Sequence, residues 1–407
     1  MSGPAQRVAP KSAQEVSELL ARCDAEDKKV VIVGGNTLAG AGLPPEREDV
    51  TLLTTALRGV VANETADLTI GVLAGTPLAD VTALLAGQGR FIPFDAPRPA
   101  YATVGGTLAA GWLGPRRHLH GRPRDYLLGT TIVLADGTIA RAGGMVVKNV
   151  AGYDMSRLYA GSFGTLGVLV RANFKTSAAP AHSRLFLARL PEGTRSRACA
   201  HLSALHVRPA AAFWVEGFRN EIDGEDGPEG RVLVLLEGSG PLLERATRDL
   251  RSALGRAGVP ETSVFDAGAR EGFERVVDAY VACLGQRSAT YRFYPLASQA
   301  VERALASRAL AARFELKADT IVDAINGDVV LRVRDARVAG LSAKIEIFDD
   351  ALHAIEPHAQ VVAIANAARG TLRAWGDPPA AIERMRALKL RFDPNRTLNP
   401  GRFVGGL

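Results

Sequence analysis

The run VVKNVAGYDMSRLYAGSFGTLGVLV, Val146 to Val170, decides how the rest of the chain is read. Its apolar ends are separated by glycine at Gly152, Gly161, Gly164 and Gly167. A glycine inside a helix costs about 1 kcal/mol against alanine. Such density therefore points to backbone held at unusual angles or pressed against a neighbour. A flat or phosphorylated ligand and plain turn-making are the two explanations. The excess is local: 13 of the chain's 42 glycines fall between Tyr101 and Val170. The runs TVGGTLAAGWLGPRR, GRPRDYLLG and AGYDMSRLYAGSFGTLG thus read as one site built from several loops.

The 407 residues, 47% of them hydrophobic, are ample for two cores. Apolar runs are broken well before the roughly 20 residues of a membrane span, and MSGPAQRVAPKSAQEVSELL has no apolar signal core. The expectation is a soluble, cytoplasmic protein. Cys23, Cys199 and Cys283 stand far apart and cannot supply the four thiolates of an iron–sulfur cluster from this chain alone. Net charge is +6, but only eight of the 49 basic residues are lysine and the arginines are spread through every segment. That favours acidic cofactors or partners over nucleic acid.

Working outward, Lys11–Glu26 predicts an amphipathic helix, KKVVIVGGNTLAG a strand ending in a glycine turn, and Thr76-Pro77 a helix start closed by Gly87. Hairpins are expected at Asp136-Gly137 and Asn326-Gly327. After TSAAPAHS the pattern coarsens: SRLFLARL, AAFWVEG, RVLVLLEGSG and ATYRFYPL read as strands, and PLLERATRDLRSALGRAG as an amphipathic helix. An antiparallel sheet covered by helices on one face follows, so the fold class is α+β. No P-loop lysine is present, and Gly161, Gly164 and Gly167 lead into a strand, unlike a dinucleotide fingerprint. Successive amides at Gly34, Gly35, Asn36 and Thr37 can form an anion nest, or simply a strand-to-loop turn.

Taken in order, VVIVGGNTLAG, FDAPRPAYATVGGTLAAGWLGPRR, GRPRDYLLGTTIVLADG and VVKNVAGYDMSRLYAGSFGTLGVL resemble the FAD domain of the vanillyl-alcohol oxidase / p-cresol methylhydroxylase superfamily. GPRR…RDYLLG with VKNVAGYDMSRL is similar to the FAD-binding E-type subunits of bacterial glycolate oxidases (glycolate dehydrogenases), and FDPNRTLNPGRF resembles the superfamily's C-terminal return to the flavin. The resemblance implies a two-subdomain FAD-binding domain over 1–178, a cap-like α+β domain over 179–370 and a returning segment over 371–407. It implies non-covalent FAD, with Gly34, Gly35, Asn36 and Thr37 at the pyrophosphate. Thr103, Gly105, Gly106, Ala109 and Gly111 would run along the ribityl chain and ring, and Gly161, Gly164, Thr165, Gly167 and Val168 would close the other side. In this reading a Cβ at the glycines would hold the backbone away from the cofactor. Arg124 and Asp125, and Lys148 and Asn149, are further candidates, with exposed turns as the alternative.

Departures from the superfamily matter too. The first loop lacks the histidine or cysteine that covalent members use, and His118 and His120 read as an exposed loop pair. His353 and His358 lie five apart and do not share a helix face, so neither a metal site nor a general base is legible. The resemblance implies an FAD-binding accessory or electron-relay subunit acting in glycolate-to-glyoxylate oxidation. Its partners would be a catalytic flavoprotein and an iron–sulfur subunit, with any membrane association peripheral and through that complex. The alternatives are a self-sufficient hydroxy-acid or alcohol oxidoreductase with a base near Trp214, Glu216 or Tyr291, and a non-catalytic scaffold.

Overall fold

The computed structural model describes all residues except 1–4, 147–152, 219–221, 223–229, 260–262, 285–287, 336, 338–342, 366–367 and 369. Ser12 caps the first helix, Ala13–Ala25, by accepting a hydrogen bond from the Glu15 amide at 3.1 Å. Val16, Leu19, Leu20 and Cys23 recur at the helical period and are buried. They cover a small parallel sheet ordered Gln6–Val8, Val50–Leu53, Val30–Val33. Beside it lies a five-stranded antiparallel sheet ordered Val60–Glu64, Thr69–Leu73, Val168–Lys175, Leu127–Val133, Ile139–Gly143. Helices Leu78–Ala86 and Val104–Ala109 pack on it.

The third sheet has eight antiparallel strands. Its order is Ser263–Phe265, His182–Leu190, Gly230–Gly238, Ala211–Glu216, Lys317–Asp323, Val329–Arg334, Ser288–Phe293, Gln360–Ile364. Side chains alternate between faces as the pleat requires. Trp214, Val232 and Val234 enter a core under helices Arg195–Ser203, Gly240–Arg256, Ala300–Arg313 and Ala343–Ile355. Phe213, Leu233 and Leu235 point the other way, into a core shared with Trp112, Phe174 and helix Ala269–Ala279. The two halves therefore share one apolar interior. The TSAAPAHS stretch is tied down rather than loose: Ser177–Ala178 pairs with Arg90–Phe91.

Helix Ile382–Phe392 leads the chain back to the first sheet. Val30 donates to the Thr397 carbonyl at 2.7 Å, and the Asn399 amide donates to the Val30 carbonyl at 2.9 Å. Among the described residues no helix is long and apolar enough to cross a membrane.

Candidate functional site

Strand Val30–Val33 ends in a turn where Asn36 sits at φ 57°, in the left-handed region. The amides of Gly35, Asn36, Thr37 and Leu38 find no acceptor among the described residues. Such a row of free N–H groups suits an anion. Across from it stands helix Val104–Ala109, whose capping Thr103 accepts from the Gly106 amide at 3.2 Å. The third wall is the 161–167 loop, docked on that helix by Gly161 N–H to Leu108 O and Phe163 N–H to Ala109 O, both 2.8 Å. Phe163 itself has φ 56°, strained for a bulky residue, and its ring stacks on Phe403 at 5.9 Å.

These walls enclose a narrow cleft of about 120 Å³ that opens, past Leu38, Ala110 and Phe163, into a cavity of about 640 Å³ between the two halves of the molecule. Gly34, Gly35, Asn36, Thr37, Thr103, Gly105, Gly106, Ala109, Gly164 and Gly167 line the cleft. Gly111 and Gly161 line the cavity, back to back: a Cβ on Gly111 would stand 2.9 Å from the Gly161 Cα. Thr165 and Val168 are buried behind the wall. Arg124 and Asp125 line neither space, and Asp125 is instead held by the Arg122 guanidinium at 2.9 Å. Lys148 and Asn149 fall outside the described residues.

At some of these glycines the protein's own atoms already exclude a side chain. At Gly35 an added Cβ would lie 1.6 Å from the Tyr101 carbonyl oxygen, so the protein's own backbone, not a ligand, forbids a side chain there. Gly105 against Ala74 and Gly167 against Ile132 follow the same rule. The glycines let the walls approach one another, and the cleft is the space left between them.

Sequence reading missed how the chain's last stretch closes the cleft. The buried Asn399 side chain accepts from the Ile32 amide at 2.9 Å and donates to the Phe163 carbonyl at 2.7 Å. Beneath it the buried Lys389 ammonium donates to Thr165 O, Leu398 O and the Asp393 carboxylate. Arg402 brings the cleft's one charged side chain among its described lining residues. The Asn-Pro-Gly run at 399–401 marked a turn, but not its partners.

The wider cavity is walled by Trp112, Tyr294, Trp375, Gln360, His358 and Arg292, among others. Arg292 is buried, donates to Leu113 O at 2.6 Å, pairs with Asp328, and lies over the Trp112, Tyr280 and Tyr294 rings at 4.7–5.1 Å. Arg117 reaches the same carboxylate at 3.0 Å. Burial would raise the Asp328 pKa, but Arg292 and Arg117 outweigh it and hold the carboxyl below its ordinary range. Its neighbour Asp323 is pushed up to about 6, by burial first and then by the Asp328 charge.

Two further expectations change. His118 and His120 are half-buried struts, not an exposed pair: His118 Nε2 is 2.7 Å from Pro209 O, and His120 Nε2 is 2.7 Å from the Glu237 carboxylate. Trp214 and Tyr291 sit in the core on the far face of the large sheet, and Glu216 is bound by Arg195 and Arg308. None of the three lines the cavity. His353 is locked between the Asp349 and Ala359 carbonyls, whereas His358 reaches the cavity wall. Among the described residues no cluster of three or more metal-ligating side chains occurs.

Comparison with known proteins bears on this site. Residues 4–154 match the family model "FAD binding domain". Over 169 residues, 41% of this chain and 48% of the relative, the chain is 39% identical to glycolate oxidase subunit GlcE of Escherichia coli K12. It thus matches only about half the length of that protein. Over 97% of the chain and 88% of the relative it is 27% identical to glycolate oxidase subunit GlcD of Bacillus subtilis 168. The fold is that of p-cresol methylhydroxylase with substrate bound, at TM-score 0.71 and 14% identity over 97% of this chain and 88% of that one.

Proposed function

We propose that this chain, whose residues 4–154 form an FAD-binding domain within a p-cresol methylhydroxylase-type α+β fold, is the FAD-holding relay or accessory subunit of a complex that oxidises glycolate to glyoxylate. Its partners in that reading are a catalytic flavoprotein and an iron–sulfur subunit. The 39% identity to GlcE over 169 residues, beside the FAD-domain match at residues 4–154 that takes in much of the cleft wall, supports the reading. The free amides at Gly35–Leu38 suit a pyrophosphate, and the close approach of Gly111 to Gly161 holds the helix and loop walls together beside the wider cavity. When bound, FAD supplies two-electron chemistry that these side chains do not have. The chain's own part is to orient the cofactor, exclude water with Phe163, Trp375 and Phe403, and keep the ring beside the cavity.

The observation that carries the relay over the enzyme is Arg292. A 2-hydroxy acid brings a carboxylate, and the one guanidinium on the described cavity wall is already engaged by the Leu113 carbonyl and by Asp328, which Arg117 shares. A self-sufficient oxidoreductase remains the second reading because His358 stands on that wall and could take a hydroxyl proton. Anaerobic addition of glycolate to the purified FAD-loaded chain separates them. The flavin absorbance should persist until the catalytic and iron–sulfur partners are added. Rapid bleaching of the lone protein that disappears in His358→Ala would replace the relay with the enzyme. Undiminished turnover of a complex whose copy of this chain cannot hold FAD would leave only a scaffold.

A further inference from the structure

A further cavity, of about 340 Å³, lies between the halves of the molecule and touches the flavin cleft only at Ala96 among the described residues. Helix Leu78–Ala86 and the Arg90–Asp95 segment wall one side; Leu235, Glu237 and helix Ala269–Ala279 wall the other. That size is within the range of small-molecule sites. Much of the lining is apolar, including Leu78, Phe94, Leu235, Phe273 and Val277.

Its charged groups are unevenly matched. Arg116 pairs with both Asp95 and Glu237, at 2.6 and 2.7 Å, and Arg270 pairs with Glu274 at 2.8 Å. Arg90, only 3% exposed, meets no carboxylate among the described residues. Its guanidinium touches the neutral oxygens of Asn63 and Gln88, reaches Thr176 Oγ1 only at 3.5 Å, and leaves Nε without an acceptor. Three arginines and three acidic residues line the cavity, yet one arginine takes two of the acids and Arg90 takes none. Buried cations are ordinarily paired, because an unmatched one loses its hydration without return. An arginine with an unused Nε–H in the wall of a largely apolar hollow matches a carboxylate with a hydrocarbon body.

We propose that this interdomain cavity binds an amphipathic monocarboxylate, its head group on Arg90 and its apolar body between helices Leu78–Ala86 and Ala269–Ala279. Of its described lining residues only Ala96 also lines the flavin cleft, and the test below reads carboxylate binding rather than flavin chemistry, so its outcome is independent of the function proposed above.

The test uses the FAD-loaded full chain and three probes, octanoate, glycolate and inorganic phosphate, followed by calorimetric titration and thermal unfolding. Octanoate should bind saturably and raise Tm. Glycolate and phosphate should bind roughly tenfold or more weakly, since they lack the methylenes that the lining buries. Arg90→Met, which keeps the stem and removes the charge, should weaken octanoate at least about tenfold, the loss of one charge-assisted contact. Thr82→Trp, which fills the cavity with Arg90 intact, should abolish the octanoate shift and carries the test if Arg90→Met does not fold. Absence of octanoate binding to the unaltered protein would overturn the proposal. So would octanoate binding that survives either variant, and so would equal affinity for all three anions, which marks a plain anion site.

Discussion

Replacing Asn399 by alanine tests the idea that the returning segment, rather than the glycine loops alone, shapes the cleft. The substitution deletes two part-buried hydrogen bonds, to Ile32 N–H and Phe163 C=O, and leaves both backbone groups without that partner. Losing such a bond and leaving its partner only partly buried costs about 1–2 kcal/mol each, the lower part of the range for orphaned polar groups. Alanine at φ 44° adds strain of roughly 1 kcal/mol. The expected loss of stability is therefore about 3–5 kcal/mol. If about 2 kcal/mol of it comes from freeing the Phe163 loop, the equilibrium between open and competent clefts shifts roughly 30-fold, and apparent FAD affinity falls by up to that factor. Urea unfolding and titration of FAD fluorescence measure the two effects. Asn399→Asp keeps the acceptor but sets a carboxylate against the Phe163 carbonyl, so acidification, which restores an O–H donor, should recover part of the loss. An alanine variant with unchanged urea midpoint and FAD affinity would refute the clamp.

Gly164→Ala and Gly258→Ala impose similar left-handed strain, at φ 73° and 80°, of about 1–2 kcal/mol each; only the first should lower FAD retention, because its Cβ would press within 2.7 Å of Asn399 Nδ2. Equal flavin content in both would reduce the 161–167 loop to an ordinary turn. Acid precipitation should leave FAD in the supernatant, since the described residues of the narrow cleft include neither histidine nor cysteine; fluorescence retained by the denatured chain would implicate His358 on the cavity wall. Asp323, with its folded-state pKa raised to about 6, binds its proton more tightly than the unfolded chain does at its usual value near 3.9. Its contribution is therefore fully present below about pH 4 and lost as pH rises through about 6. The urea midpoint of Asp323→Asn relative to the unaltered protein should rise across that window and be level on either side. A difference that does not change with pH would contradict the burial argument.

Local signals in the chain carried much of the fold. Ser12 with the 16, 19, 20, 23 spacing marks the first helix, and Asp136-Gly137 and Asn326-Gly327 mark hairpins where Gly137 and Gly327 take φ 87° and 86°. Ten of the cofactor candidates line the narrow cleft because glycine density reports close approach of backbones, whatever presses on them. What periodicity cannot show is which side chains meet across long stretches of chain. His120 finds Glu237, Arg292 finds Asp328 beside Leu113, and Asn399 finds Ile32, and the charged partners Glu237 and Asp328 look in sequence like solvated surface residues. The burial of such groups is set by the docking of two halves, not by any local pattern.

The contact of Asn399 and Lys389 with the cleft has a temporal meaning as well. On the ribosome the turn at Gly34–Thr37 and the loop at 161–167 are made long before residues 389–402, with the whole eight-stranded sheet synthesised in between. Until that late stretch emerges, Ile32 N–H and Phe163 C=O lack their partner, and the cleft has three walls. Flavin capture is thereby deferred until the second half has been translated, so a chain stalled or cut short before Asn399 would emerge colourless.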